Sequence, residues 1–472
     1  MTATAEASAP PAPPRRFAPA NVARYAIAVA GLAASLVLGI FVHAPTVWGL
    51  LPVVLYAVLS LSGMHLLLAT ACALLSGILL DHRAPAAVGD LLGKSLGDTV
   101  TLIGVIVVLG GALGEVLRVT GAADVLVRGV LRLVRGNSRI GLQLGVMAAS
   151  LVLVFALGTL AGALAIAAPI VIPVVARAGF TRSATASMLF LGGCSGLALA
   201  PFAGSNIAIL DAAKVGYGTY LLVAAGPLAV LSILLSLFVV PRVQRRSAAR
   251  GDDFYPPELV DQTTDAPHGR RATVVFAVAL VAAVAYATIS GSGTSFPLVA
   301  LPVLAVVTAA AGGLSVRDTV AALVRGGGRL FETFLMFWLL AAFFAMVNEL
   351  KPYDVLLEKF GPMLHDMPAL PFAAGVAMLG WLGVPGATAA HVVLLNKVFG
   401  PLGASIGLTP AAWAVTYLWG SKADTYGPFP NANMMSVLGF AESTRLKTLL
   451  GVGWLVLVPA ALLYLAILTV LL

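Results

Sequence analysis

Apolar positions run through this chain in blocks too long for strands and too uniform for the buried face of a surface helix. Such runs fall at about 23–43, 47–63, 64–81, 98–117, 219–241, 272–290, 295–314, 329–349 and 446–470. Each predicts a membrane-crossing helix, because about 20 apolar residues cover the hydrocarbon layer. A barrel would show short alternating segments instead. Two further stretches, 138–177 and 367–403, are apolar but interrupted in the middle. Their halves, about 16 residues each in the first, are short for a span. Arg139 flanks one end of the first stretch, and Arg177 and Arg182 the other. Cytoplasmic charge at both ends predicts a re-entrant hairpin with its tip near Gly158-Thr159, the alternative being one Gly-kinked helix. The second stretch repeats the design around "GVPGAT", which holds Gly386 and Thr388.

An interrupted span follows each hairpin, at about 183–213 and 409–438. The first contains Pro201, Phe202 and Asn206, and the second Pro428, Phe429 and Asn433, an offset of 428 − 201 = 227. The same shift lays 47–81 over 274–308. Order and spacing together indicate an internal repeat. Each unit has an odd number of crossings, so consecutive copies have opposite orientations. The expected fold is an all-α integral membrane protein of about 11 transmembrane helices plus two re-entrant helical hairpins, in two inverted repeats with broken helices. The expected organisation is a disordered cytoplasmic tail at 1–22, an extra N-terminal helix at 23–46 and a first repeat at 47–241. A cytoplasmic linker at 242–271 and a second repeat at 272–472 follow.

Composition agrees with that reading. The chain is 60% apolar and 10% charged, too few charges to clothe a soluble core of 472 residues. The net charge of +8 reflects loop arginines rather than an acidic partner, and no nucleic-acid partner is expected. Arg15, Arg16, Arg24, Arg128, Arg132, Arg135, the arginines of the linker, Arg317 and Arg325 all fall on one side. This places the N-terminus in the cytoplasm and Leu472 outside, in the inner membrane of a bacterium. Residues 1–22 lack the apolar core and cleavage site of a signal peptide. Cys72 and Cys194 lie far apart, without the spacing of a disulfide framework or metal site. No HExxH, CxxC or GxSxG occurs where a span would present it. No enzyme activity, catalytic residue, metal site or cofactor is therefore expected, beyond a coupling proton or sodium ion.

Broken backbone in a membrane is tolerated only inside protein or along a cavity. Inverted repeats with discontinuous helices point to a secondary transporter with its site at the repeat interface. The candidate substrate-binding residues are Gly158, Thr159, Ser195, Ser205, Asn206, Gly386, Thr388, Lys422, Asn431 and Asn433. The candidate ion-coupling residues are Ser421, Asp424, Thr425 and His391. Hydroxyls and freed carbonyls suit a hard cation, and helix N-termini suit an anion. Lys422 and Asp424 stand out, since ionisable groups at membrane depth are costly. Three readings are open: Lys422 holds a substrate carboxylate while Asp424 carries the coupling ion; the two form a structural salt bridge; or both sit at the interface in solvent. His391 is either a neutral buried side chain or a proton-coupling group. Glu115 is expected to pair with Arg118, Glu332 with Arg329, and Asp211 with Lys214.

The hairpins, the broken spans and the segment "GEVLRVTGAADVLVRGVLRLVRGNSR" resemble the ion transporter superfamily of anion symporters, which includes the divalent-anion/sodium, citrate–metal and gluconate families. The likeness covers roughly 47–470. It implies import of a small organic anion, a carboxylate, coupled to protons or sodium. It also implies elevator-type alternating access and a homodimer in the lipid bilayer. The tips read "LGTLAG" and "LGVPGATA", where the divalent-anion branch carries Ser-Asn-Thr. The alternative reading is a cation/proton antiporter, in which Asp424 is central and Lys422 a counter-charge.

Overall fold

In hydrocarbon a backbone must satisfy its own hydrogen bonds, which leaves an apolar run little choice but a helix. The computed structural model describes residues 19–62, 64–133, 138–256, 269–290, 295–352, 355, 358, 368–382 and 388–472. Helices dominate them, and no strand occurs among the described residues. The first half contains α1 (Pro19–Phe41), α2 (Leu51–Leu61), α3 (Leu66–Leu80), α4 (Pro85–Ser95), α5 (Thr99–Val119), α6 (Ala122–Leu133), α7 (Arg139–Leu157), α8 (Leu160–Arg177), α9 (Arg182–Leu199), α10 (Gly204–Ala213) and α11 (Tyr217–Ala248). The second contains α12 (Gly269–Ile289), α13 (Pro297–Ala311), α14 (Val316–Gly328), α15 (Phe331–Glu349), α16 (Ala369–Leu379), α17 (Thr388–Ser405), α18 (Pro410–Tyr426), α19 (Ala432–Phe440) and α20 (Leu446–Leu471).

The protein is an all-helical integral membrane protein with broken helices. Among the described residues, eight helices are long and apolar enough to cross a membrane. Three helices expected as spans are shorter. α3 and α13 have 15 residues each and α2 has 11. At about 1.5 Å per residue, 15 residues cover roughly 22 Å of a 30 Å layer. α11 runs on to Ala248 with Pro241 inside it, so the linker begins later than its composition suggests.

The chain reverses at Gly158, which adopts φ +66, and α7 and α8 pack against each other as a hairpin. α9 and α10 are separated by Ala200–Ala203, and α18 and α19 by Gly427–Asn431. The starts of α8 and α17, α9 and α18, and α10 and α19 are each 228 residues apart (388 − 160, 410 − 182, 432 − 204). In α9–α10, 94% of the most apolar window is buried, against 17% in α1 and 22% in α12. The broken span is therefore central and those helices are peripheral. The two halves interlock: α10 packs on α17 and α18, while α19 packs on α8 and α9.

Lipid tails are as apolar as leucine, so close packing rather than water exclusion holds such helices together. α9 lies directly on α7 through Gly192 and Gly196. A Cβ at Gly192 would meet the Met147 backbone, and one at Gly196 the Leu151 backbone. Further polar ties lie at one end of the bundle. The linker passes across the start of α9, where the Arg182 amide donates to the Asp253 carbonyl (2.7 Å) and the Ser183 amide to the Asp253 carboxylate (3.1 Å). Arg445, between α19 and α20, pairs with Asp252 (2.5 Å) and Asp253 (3.6 Å). The Tyr255 hydroxyl donates to the Ala441 carbonyl (2.9 Å). Burial raises the pKa of that phenol and keeps it a donor.

The pairing of Asp211 with Lys214 is present at 3.1 Å. Glu115 does meet Arg118, but the expected Glu332–Arg329 pair does not form. Glu332 lies 3.1 Å from His65, and Arg329 reaches Glu115 across the helix packing. Spacing along one helix cannot reveal a partner on another.

Candidate functional site

Breaking α9 at Ala200 leaves the last carbonyls of the helix without intrahelical donors. Side chains supply them. Asn206, in the first turn of α10, turns its amide back across the break. Nδ2 lies within donor distance of the carbonyls of Leu197 (2.8 Å), Ala198 (3.0 Å) and Ala200 (2.8 Å). The hydroxyl of Tyr220 donates to the Ala198 carbonyl (2.7 Å) and that of Tyr217 to the Leu199 carbonyl. These carbonyls are therefore engaged by protein groups. Asn206 keeps its own Oδ1 as an acceptor.

That oxygen faces the second half. Lys422, in the last turns of α18, places Nζ 3.1 Å from Asn206 Oδ1 and 3.3 Å from Ser205 Oγ. Lys422 is only 2% exposed, and Asn206 and Ser421 are fully buried. This burial removes the reading in which Lys422 sits in solvent. The contact joins the start of α10 to the end of α18, so the broken helices of the two halves meet through one ammonium group. A hydrogen bond between groups 216 residues apart is not readable from local spacing.

The second break is built differently. Gly427 adopts φ +71, and Asn431 caps α19 by accepting the Met434 amide at Oδ1 (2.9 Å). The Pro428 carbonyl accepts from Trp454 on α20 (3.2 Å). Asn433, which the 227 offset pairs with Asn206, is only half-buried. The polar work at this break falls to Asn431 instead.

The remaining candidates are spread around this junction. Gly158 brings the first tip against the first break, where a Cβ would stand 3.2 Å from Ala203 Cα. Thr159 is half-buried beside it and precedes α8. Ser195, inside α9, donates to its own helix at Leu191 O (2.7 Å). Ser421 lies 3.2 Å from Leu418 O in the same manner. Thr425 is fully buried, one turn beyond Ser421, and its hydroxyl has no hydrogen-bond partner among the described residues. His391, 5% exposed on α17, likewise leaves Nε2 without a partner among them. Thr388 opens α17. Gly386 lies outside the described residues, as does the side chain of Asp424, whose backbone continues α18. Three tyrosines escaped the sequence reading: Tyr217, Tyr220 and Tyr426, whose hydroxyl lies 2.9 Å from that of Ser232. A tyrosine within a span needs a polar partner, and that was the available signal. No group of three or more acidic, histidine or cysteine side chains able to hold a metal occurs among the described residues.

A buried lysine amine within reach of Ser205 Oγ and Asn206 Oδ1 therefore stands where the broken helices of the two halves meet. Residues 11–240 match the model of the Na+/H+ antiporter family. The matched segment is just under half of the chain and includes Ser205 and Asn206. The chain is also similar in structure to the YdaH transporter of Alcanivorax borkumensis, whose crystal structure is described as revealing an unusual topology. The likeness has a TM-score of 0.55 and 18% identity, covering 96% of this chain and 97% of that one. At that identity it speaks for the fold. No curated protein matches.

The family match corrects the resemblance to anion symporters. Hairpins and broken helices are architecture, and that architecture does not specify which ion moves. The expected carboxylate import, with an organic anion as substrate, is overturned by the same match. A transporter family agrees with a non-enzymatic role, and an antiporter family with sodium or proton coupling.

Proposed function

We propose that this protein is a cation/proton antiporter that exchanges sodium ions for protons, with its exchange site where α10 meets α18. The observation that carries the proposal is Lys422, a buried amine held by Asn206 Oδ1 and Ser205 Oγ. The family match over residues 11–240 supports it. An ammonium and a sodium ion are both monovalent cations that seek oxygen ligands. A pocket that binds one can bind the other, but not both at once, because two cations so close in low dielectric repel strongly. Sodium entering would drive Lys422 to surrender its proton or withdraw, and proton return would expel sodium. Competition of that kind is the minimum requirement for antiport.

Ser205, Asn206, Ser421 and Thr425 are the proposed oxygen ligands, and Asp424 the anionic one. The unpartnered Thr425 hydroxyl suits this role, because a buried donor–acceptor without a partner is costly. His391 is a candidate second proton carrier. Gly158, Thr159, Gly386 and Thr388 at the tips, with Ser195, Asn431 and Asn433 at the breaks, would frame the path rather than ligate. The repeated succession of hairpin and broken helix supports two inverted repeats moving as alternating-access units. The arginine distribution supports a bacterial inner-membrane location with a cytoplasmic N-terminus and an external C-terminus.

Competition has a pH signature. A proton bound at the site excludes sodium, so the sodium Kd should rise about tenfold for each unit of pH decrease across the titration range of the carrier. Above that range it should be flat. Sodium-dependent thermal unfolding of the purified protein, repeated at several pH values, measures this. A sodium affinity independent of pH would remove direct competition.

A further inference from the structure

Glu115, near the end of α5, is buried, with 1% of its side chain exposed, and three guanidinium groups converge on it. Arg118 binds it through two nitrogens (2.6 and 2.9 Å), Arg329 at 3.2 Å and Arg325 at 3.4 Å. One carboxylate cannot balance three cations, and no other acid pairs with these arginines among the described residues. The arginine side chains are also 53%, 53% and 65% exposed for Arg118, Arg325 and Arg329. Donors and positive charge therefore remain directed outward from a cluster whose position is fixed by a buried anchor.

The helices that carry the cluster, α5 and α14, also line a cleft. Between α5, α13 and α14 lies an apolar cavity of about 400 Å³, lined among others by Val108, Ala112, Pro302, Leu323, Val324 and Gly327. Ala112 is one turn before Glu115, and Val324 immediately precedes Arg325. An apolar slot on the same two helices as a cationic cluster matches a molecule with an acyl chain and an anionic head. The arginine-rich end of the bundle is the side expected to face the cytoplasmic leaflet, whose anionic lipids attract such clusters. A second cleft of similar character opens nearby, where Arg270 and Arg271 border Val274, Val275, Ala310 and Ala311. It belongs to the same end. A Cβ at Gly269 would meet Gly121, one at Gly312 would meet Thr120, and Thr273 Oγ1 donates to the Ala122 carbonyl (2.9 Å).

We propose that the cleft between α5, α13 and α14 binds an anionic phospholipid, with an acyl chain against Val108, Pro302 and Val324 and the phosphate on Arg325 and Arg329. Arg118 satisfies Glu115 by itself, so removal of the other two arginines leaves the buried carboxylate paired. The test uses full-length, delipidated protein in detergent, titrated with phosphatidylglycerol or phosphatidylcholine in mixed micelles and followed by thermal unfolding. Phosphatidylglycerol should raise the unfolding temperature and phosphatidylcholine should not. R325Q/R329Q should weaken phosphatidylglycerol binding about 30-fold, while R325K/R329K retains most of it. Val324→Trp, which fills the cleft from its exposed side without altering charge, should weaken binding as well. Equal stabilisation by the two lipids would overturn the site. So would wild-type affinity in R325Q/R329Q or in Val324→Trp, or the same shift with inorganic phosphate alone. If R325Q/R329Q fails to fold, the Val324→Trp result and the lipid comparison decide alone.

Discussion

Lys422→Met is expected to abolish sodium-driven proton movement while leaving the protein folded. Methionine keeps an unbranched chain of similar length and removes the ammonium. The loss leaves Ser205 Oγ and Asn206 Oδ1 facing each other at 3.3 Å, within reach of a mutual hydrogen bond. Taking a charge out of a buried site also removes its desolvation penalty, which offsets part of the structural cost. The functional cost is large, because the proton that the proposed exchange requires is gone. The exchange rate in proteoliposomes should fall on the order of 100-fold or more, the upper scale for losing a group that orders an ion site. Lys422→Arg should not rescue it. A guanidinium keeps the charge but is planar, larger and does not release its proton in proteins. Wild-type exchange in Lys422→Met would remove this residue from coupling.

Asn206→Ala should be damaging to stability as well as to transport. One amide now serves three carbonyls of the broken α9 and accepts from Lys422. Its removal strands fully buried acceptors, and a cost of about 3 kcal/mol or more is expected from several groups at 1–3 kcal/mol each, moderated by local relaxation. Asn431→Ala loses a helix cap, about 1 kcal/mol. Asn433→Ala, at a half-buried position, should cost less than either. Thermal unfolding of the three variants in one detergent checks the ranking. Equal effects at Asn206 and Asn433 would show that the two breaks are equivalent, contrary to the packing described above.

That ranking also shows what the sequence could and could not convey. Most apolar helices were legible because a membrane imposes one requirement on every residue of a run, but length did not separate spans from shorter elements: α2, α3 and α13 fall short of a span and α7 is long enough for one. The tip at Gly158 was legible because glycine and threonine interrupt an otherwise unbroken apolar run. The two breaks were legible from Pro201 and Pro428, each of which removes a backbone donor. The 227 offset lies within one residue of the 228 that separates the helix starts, but it pairs two asparagines that play different parts. Asn433 matches Asn206 in sequence, while Asn431 caps the helix and Asn206, beside Ser205, reaches across to Lys422. Contacts between halves depend on how helices pack, and one chain's periodicity does not carry that. The transported ion was the least legible feature. Broken helices offer donors at one end and acceptors at the other, so the same architecture suits an anion or a cation. Here the α9 carbonyls are taken by Asn206, Tyr217 and Tyr220, and the start of α19 is capped by Asn431. The choice then rests on side chains around Lys422.

The most direct measurement is ion exchange by the purified protein in sealed liposomes, with a lumenal pH dye and labelled sodium followed together and no organic anion present. An outward sodium gradient should acidify the lumen as sodium leaves, and an imposed pH gradient should drive sodium the opposite way. A sodium gradient that moves no protons, or proton movement that appears only when a carboxylate is added, would contradict antiport.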